Sequence, residues 1–148
     1  MSRTAAFALF AAILCAGMPA QARDTRHMFP VDAALATAAA QEKLDKGVKL
    51  YFGKQKHPKA AKDFGEWATN KKTNAFNKSD REACEWAFLS AVLELQERAR
   101  KQGGNAVINI KSNYKNTETV SDAEYMCGAG GLMAGVALKG TVVKLGGK

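Results

Sequence analysis

A long helix with one apolar face is the feature of this sequence that most restricts its fold. Ser79 begins the segment and Glu82 follows three residues later, which is the pattern of a capping box at a helix N-terminus. Apolar residues then recur at helical spacing on one face: Cys84, Phe88, Ala91, Leu95 and Ala99. Gly103 and Gly104 end the pattern. The sequence therefore predicts a helix over residues 80–102 with one face available to cover a sheet.

Five segments around this helix have the composition of β-strands. They are rich in β-branched and aromatic residues or alternate apolar with polar ones, and they cover residues 48–52, 63–70, 105–111, 119–127 and 132–145. The last is long enough for one strand or for two short ones. Because the three C-terminal segments are close in sequence, antiparallel hairpins are the simplest way to join them. The sequence therefore predicts an α+β fold: a small, mainly antiparallel sheet with one long helix, about residues 80–102, packed on it.

The N-terminal half carries weaker signals. Asp32 is a candidate cap for an alanine-rich helix over residues 33–44. Residues 53–62 and 70–78 are predicted to be polar loops that contain lysines. We therefore expect residues 23–148 to form a single domain with a loosely ordered, lysine-rich N-terminal part.

The first 22 residues have the pattern of a signal peptide. Arg3 provides a positive charge, residues 5–16 form an unbroken apolar run, and Ala20 and Ala22 supply the small side chains of a cleavage site. The run is shorter than the roughly 20 apolar residues that a membrane span needs. A lipoprotein would instead be acylated on Cys15, but the residue before that cysteine is large rather than small. We therefore expect cleavage after Ala22, secretion, and no transmembrane segment in the mature chain.

Signal-peptide removal would leave two cysteines, Cys84 and Cys127, in an oxidising compartment. Cys84 lies in the first turns of the predicted helix, on its apolar face. Cys127 ends a predicted strand that should lie under this helix. The sequence therefore predicts a disulfide between them that ties helix to sheet. Two buried thiols, or an exposed Cys127 that bonds to a second chain, are the alternatives.

The chain is basic, with a formal net charge of +8. Nine lysines lie between Lys43 and Lys72, against three acidic residues. Such a surface attracts anions, and an exported protein meets anionic envelope polymers and lipid headgroups rather than nucleic acid. A solvated face that only aids solubility is the simpler interpretation. The candidate anion-binding residues are Lys54, Lys56, Lys59, Lys62, Lys71 and Lys72.

The sequence contains no recognisable pattern of a catalytic or metal site. A phosphate-binding loop needs Gly and Lys at fixed positions before a Ser or Thr, and residues 104–112 carry Asn109 and Ile110 there instead. His27 and His57 are far apart in sequence, and no Cys-x-x-Cys motif occurs. We therefore predict no catalytic residues, no metal site, no cofactor and no ATPase activity.

Glycines cluster before and within the start of the last predicted strand, at residues 128, 130, 131 and 135. The spacing of Gly131 and Gly135 occurs where membrane helices dimerise. The apolar stretch around them is about half of a membrane span, however. A strand entered through a flexible turn, with Gly135 allowing close packing or a bulge, is the preferred interpretation.

Residues 79–145 resemble a family of small exported proteobacterial proteins. The matching segments are LQERARKQGGNAVINI (95–110), EYMC (124–127) and GVALKGTVVKL (135–145), with VKLYF and TNKKTN upstream. Members often carry the automatic label "excinuclease ATPase subunit", which the residues here do not support. The helix, the Gly-Gly-Asn-Ala-Val segment and the following strand also resemble the YbjQ-type heavy-metal-binding domain and the periplasmic domain of the Rcs envelope-stress sensor lipoprotein.

The resemblance implies a periplasmic protein that works by contact with partners. The chain departs from the sensor in lacking a lipidation motif and in having two mature cysteines instead of four, so anchoring and signalling are not carried over. The expected function is non-enzymatic binding or sensing of an envelope protein or an anionic envelope component, without specific binding of nucleic acid. The oligomeric state is left open. A small-ligand or metal-binding module is the alternative.

Overall fold

The computed structural model describes residues 22–147 of the 148-residue chain. In chain order their elements are β1 (Thr25–Pro30), α1 (Val31–Leu35), α2 (Ala38–Lys43), β2 (Lys49–Phe52), β3 (Ala60–Asn74), α3 (Asp80–Gln102), β4 (Ala106–Tyr114), β5 (Thr117–Thr119), β6 (Glu124–Ala129) and β7 (Met133–Leu145). None of these helices is long and apolar enough to cross a membrane. The predicted signal peptide, with Ala20, lies outside the described residues, of which Ala22 is the first.

The long helix α3 begins and ends where the sequence predicts. The Ser79 hydroxyl accepts a hydrogen bond from the backbone N–H of Glu82 at 3.1 Å. Gly103 ends the helix with a φ of 81°, a conformation that glycine adopts without steric cost. The predicted apolar face is buried against the rest of the protein, at Cys84, Phe88, Ala91, Leu95 and Ala99. The predicted helix is therefore confirmed.

Strand β7 organises the sheet because it pairs along both of its sides. One side pairs with β3, from Met133 opposite Asn74 to Leu145 opposite Ala60. The other side pairs with β6 near the start of β7 and with β4 further along. β1 continues the sheet beyond β6, while β2 and β5 both pair with β4. All pairs except β2–β4 are antiparallel, so the predicted α+β fold with a mainly antiparallel sheet is confirmed.

The N-terminal half differs most from the expectation. The predicted loop over residues 70–78 is wrong as far as Asn74, because the whole NKKTN segment belongs to β3. Lysine and asparagine are depleted in strands, but each residue from Trp67 to Asn74 has a partner on β7. Long-range pairing therefore overrides local propensity here. The part expected to be loosely ordered contains β1, α1, α2, β2 and β3.

The helix predicted over residues 33–44 is wrong as a single element, because it is divided into α1 and α2. Asp32 lies in the first turn of α1 and is not its cap. The Thr37 hydroxyl donates to the carbonyl of Ala34 at 3.0 Å and accepts from the N–H of Ala40 at 3.3 Å. These hydrogen bonds of the threonine side chain to nearby backbone groups replace the backbone bonds of a continuous helix. The chain therefore leaves α1 here, and Thr37 caps the start of α2.

Helix α3 covers one face of the sheet and forms the main core with it. Apolar residues of β4 and β7 pack against the helix from below: Val107, Ile110, Val136, Leu138 and Val142. A smaller apolar cluster lies on the other side of the same strands, formed by Ala106, Ile108, Val143 and Leu145. The rest of this second face is open.

Candidate binding cleft

The open face of the sheet carries a cleft built on two paired glycines. Successive residues of a strand point to opposite faces. Cys127 is buried and bonded to Cys84 of α3, so its neighbour Gly128 faces away from the helix. Gly128 pairs with Gly135 of β7, and directly opposed residues of an antiparallel pair share a face. The middle of the open face therefore lacks side chains of its own.

The cleft above these glycines has a volume of about 900 Å³, which is within the range of small-molecule sites. Its lining combines the N-terminal segment with β3, the end of β4 and the β6–β7 connection. Two large apolar side chains, Leu132 of that connection and Met133 at the start of β7, are 67% and 49% exposed. The polar and charged groups that line it are Arg23, Asp24, Asn70, Lys72, Tyr114 and Lys115.

Tyr114 lies across the glycine floor. A Cβ atom on residue 128 would lie 1.8 Å from the hydroxyl oxygen of Tyr114, so only glycine leaves room for this side chain. The hydroxyl donates a hydrogen bond to Asp24 at 2.8 Å. The cationic groups of Arg26 and Lys115 each lie 5.6 Å from the ring centre. Burial, and then the hydrogen bond to the Asp24 carboxylate, raises the pKa of Tyr114.

Arg23 fixes the N-terminal segment as one wall of the cleft. Its guanidinium donates to both carboxylate oxygens of Asp80 at 2.9 and 2.8 Å, and to the carbonyl of Gly130 at 3.0 Å. Nε2 of His27 lies 2.8 Å from the same carboxylate. The hydrogen bonds of Asp80, first with Arg23 and then with His27, lower the pKa of its carboxyl group to about 2. Because Asp80 is in the first turn of α3, this wall is tied to the helix.

Asp24 ties the same wall to the opposite rim. Its carboxylate accepts hydrogen bonds from the ammonium group of Lys115 and from the Tyr114 hydroxyl. These two bonds, Lys115 first, lower the pKa of the Asp24 carboxyl group. The N-terminal segment is thus anchored on both sides of the cleft.

Lys72 is the cation of the cleft that has no acidic partner among the described residues. It is exposed on β3, and its Cγ would lie 3.5 Å from a Cβ placed on Gly135. The lining holds one acidic residue, Asp24, and three basic residues, Arg23, Lys72 and Lys115. The rim of the cleft is therefore net positive.

A network of four charges lies on the open face outside the lining of the cleft. Nζ of Lys111 lies 3.2 Å from Glu66 and 3.0 Å from Glu118, and Nζ of Lys139 lies 3.7 and 3.0 Å from the same two carboxylates. The hydrogen bonds with Glu118 and then Glu66 raise the pKa of Lys111. The network holds equal numbers of positive and negative groups, so it adds little net charge to this face.

Of the six lysines predicted to bind anions, only Lys72 lines the cleft. Its neighbour Lys71 points to the opposite face, where its Nζ lies 2.6 Å from a carboxylate oxygen of Glu94 on α3. The two adjacent lysines of β3 are separated because strand residues alternate between faces.

The other four predicted lysines lie elsewhere. Lys54, Lys56 and Lys59 are exposed in the segment between β2 and β3. Lys62 packs over the ring of Phe64, with its Nζ 5.0 Å from the ring centre. The structure therefore does not gather the six lysines around one site.

The two cysteines of the predicted pair lie at bonding distance beneath the glycine floor. The sulfur atoms of Cys84 and Cys127 are 2.01 Å apart, and their Cα atoms are 5.9 Å apart. Both residues are fully buried. The bond ties α3 to β6 on the face opposite the cleft, which makes it a structural element of the fold.

The histidines are engaged with protein groups. His27 contacts Asp80, and Nδ1 of His57 lies 2.8 Å from the carbonyl oxygen of Pro58. Within residues 22–147, no three His, Cys, Asp or Glu side chains converge as ligands of a metal ion.

Three residues of the cleft have no signal in the sequence pattern: Arg23, Asp24 and Tyr114. They come together only through tertiary contacts, because the bond between Asp24 and Tyr114 joins distant parts of the chain. The glycines do offer a signal. Gly128 and Gly135 flank a turn, so a hairpin would place them opposite each other on a face without side chains.

Comparison of the chain with protein-family models, with curated proteins and with solved structures finds no match.

Proposed function

We propose that this protein is an exported, non-enzymatic domain that binds a component of the bacterial envelope in the cleft of its open sheet face. The observation that carries the proposal is the cleft itself, a space of about 900 Å³ above two glycines. Leu132 and Met133 are exposed beside it. Concave sites that combine apolar surface with a few polar groups are where proteins bind ligands.

The bonding of the charged groups in the cleft favours binding over catalysis. Asp24 accepts hydrogen bonds from Tyr114 and Lys115, and Arg23 is bonded to Asp80. A general acid or base must exchange a proton with a bound molecule. Groups that already hold the walls of the cleft together are poorly placed to do so.

Export is supported by the pattern of residues 1–22 and is compatible with the Cys84–Cys127 bond, which an oxidising compartment preserves. The periplasm is the proposed location. Mass spectrometry of protein isolated from cells should find the mature N-terminus at Arg23. A retained Met1, or a diacylated Cys15, would contradict this part of the proposal.

Site-specific photo-crosslinking in intact cells tests the binding role. A photoreactive amino acid at Gly131 would face the cleft, because this residue lines it and has open space around it. The control position is Lys144, which is exposed and does not line the cleft. We expect an adduct of defined mass from position 131 that is absent from position 144. Equal labelling at both positions, or no adduct at 131 in correctly exported protein, would argue against binding at this cleft.

A further inference from the structure

We propose that the cleft binds a single-chain amphiphile with an anionic head, of which a fatty carboxylate or an alkyl phosphate is the simplest form. The proposal rests on the proposed function, because it names the ligand chemistry of the same cleft. The floor and the apolar wall would hold the chain, and Lys72 would hold the head.

The apolar part of the cleft suits an unbranched chain. Its floor is the ring of Tyr114, which lies on Gly128, and the backbone around Gly135, and Ala137 continues the lining along β7. Leu132 and Met133 stand at its edge, exposed to solvent in the free protein. A flexible hydrocarbon chain bound against this surface would bury its own apolar area and that of the Leu132 and Met133 side chains. Burial of apolar area is the main source of affinity for such ligands.

The polar part of the cleft suits an anionic head. Lys72 lacks an acidic partner in the described part of the chain, whereas Lys115 is bound to Asp24 and Arg23 to Asp80. The amide of Asn70 lines the cleft two residues before Lys72, on the same side of β3. A carboxylate or phosphate at this place would gain a charge-assisted hydrogen bond from Lys72.

The charge distribution favours one small anion over an anionic surface. A membrane or a polymer attracts proteins through several unpaired cations on one face. Here Lys111 and Lys139 of the open face are neutralised by Glu66 and Glu118. Among the described residues, Lys72 and Arg26, which lies over the Tyr114 ring, are the cations beside the cleft without an acidic partner. Two such cations at one place match a single head group on a single chain.

Calorimetric titration of the mature protein tests the proposal directly. The ligands are octanoate, decanoate and dodecanoate below their micelle concentrations, with decyl glucoside as the uncharged counterpart. We expect one saturable site and affinity that rises about tenfold for each two added methylene groups. Decyl glucoside should bind more weakly than decanoate because it lacks the charge.

Two pairs of variants locate the site. Gly135→Val would place a branched side chain in the cleft and should weaken dodecanoate binding at least tenfold. Gly135→Ala is its matched control, since its Cβ would contact neighbours at 3.5 Å or more.

The second pair tests the head group. Lys72→Gln should weaken dodecanoate binding about fivefold and leave decyl glucoside binding unchanged, whereas Lys62→Gln should affect the binding of neither ligand. Thermal melts verify that each variant is folded, and Leu132→Ser, at an exposed position, replaces Gly135→Val if that variant is unfolded.

Several outcomes would overturn the proposal. They are the absence of saturable binding, affinity that does not depend on chain length, and wild-type affinity in folded Gly135→Val or Leu132→Ser protein. A membrane surface would be the partner instead if the protein adsorbs to phosphatidylglycerol vesicles in a particular way. Lys62→Gln and Lys72→Gln would then weaken adsorption equally, and Gly135→Val would leave it unchanged. If amphiphiles fail to bind but crosslinking at Gly131 still succeeds, this inference falls and the proposed function stands. Failure of both experiments would remove the proposed function as well.

Discussion

The hydroxyl group of Tyr114 occupies the space that the side chain of any larger residue at position 128 would need. A Cβ atom on Gly128 would lie 1.8 Å from the hydroxyl oxygen and 2.1 Å from the ring carbon that bears it. The glycine of β6 and the tyrosine of β4 are therefore a matched pair, although they lie on different strands.

We expect Gly128→Ala to destabilise the protein by about 2 kcal/mol, because Tyr114 must leave its place and its bond to Asp24. Urea unfolding measures the change. In a double-mutant cycle, Tyr114→Ala should remove most of the cost of Gly128→Ala. The control is Gly135→Ala, whose Cβ would make only ordinary contacts. A Gly128→Ala protein as stable as wild type would refute this account of the pair.

Asp80 should make the stability of the protein depend on pH in the acid range. Hydrogen bonds with Arg23 and then His27 lower the pKa of the Asp80 carboxyl group to about 2. The stabilisation of the folded protein by the ionised carboxylate is therefore complete above the unfolded-state pKa near 4 and is lost as the pH falls through about 2. We expect Asp80→Asn to cost about 1 kcal/mol at pH 7 and much less at pH 2, where half of the native carboxyl groups are protonated. Unfolding measured across this range tests the expectation, with Glu42→Gln, an exposed change on α2, as control. An equal loss at pH 2 and pH 7 would contradict it.

Removal of the disulfide should lower the free energy of unfolding substantially. The bond spans 43 positions, for which the loop-entropy model gives about 4 kcal/mol. The double variant Cys84→Ala, Cys127→Ala tests this by denaturant unfolding, with the reduced and the oxidised wild type measured beside it. The oxidised protein, unfolded without reductant, should show no reactive thiol. Two labelled cysteines per mature chain would show that the bond does not form.

Gln96 should be one of the polar residues on which stability depends most. It is almost fully buried on α3, where it accepts from the N–H of Asp45 and donates to the carbonyls of Asp45 and Val48, each at 2.9 Å. Gln96→Leu keeps the volume but leaves these backbone groups without partners, so we expect a loss of about 3 kcal/mol. Gln102→Leu, near the end of the same helix, should change stability by less than about 0.5 kcal/mol. Similar effects of the two substitutions would contradict the role of Gln96.

Tyr125 presents the opposite case, a buried hydroxyl without a hydrogen-bond partner in the described structure. Burial raises the pKa of the Tyr125 hydroxyl, because the folded protein favours its neutral form. The resulting pH-dependent stabilisation of the folded protein is complete below the unfolded-state pKa near 10 and is lost as the pH rises further. We expect Tyr125→Phe to be as stable as wild type or up to about 1 kcal/mol more stable at pH 7, because its ring still stacks on Phe88. Its stability should also fall less above pH 10. A loss of more than about 1 kcal/mol at pH 7 would reveal a hidden partner of the hydroxyl.

Local sequence signals predict α3 and its contacts well. The cap at Ser79, the end at Gly103 and the buried face are encoded within one segment, so spacing alone is enough to place them. The cysteine pair follows from the same logic, because Cys84 lies on the face that meets the sheet.

The long strand β3 is predicted poorly because its stability comes from elsewhere. Residues 70–74 have the composition of a loop and are held as a strand by β7. Alternation then sends Lys71 to Glu94 of α3 and Lys72 to the cleft. A count of lysines could not separate these two environments, because it ignores the direction of each side chain.

The cleft escapes prediction for a related reason. Its floor is predictable from Gly128 and Gly135, but its walls come from residues whose contacts depend on the complete fold. Arg23 meets Asp80 across 57 positions, and Asp24 meets Tyr114 across 90. No local periodicity carries such information.

The position of β1 has a consequence for how the protein is made. Thr25 lies opposite Ala129 and Pro30 opposite Glu124, so the leading strand has its partner near the other end of the chain. During synthesis that partner emerges late, and closing so long a loop is slow. The front of the nascent polypeptide therefore has no sheet partner until β6 has been made. The proposed export requires an unfolded chain of this kind, and the sheet would then close after translocation.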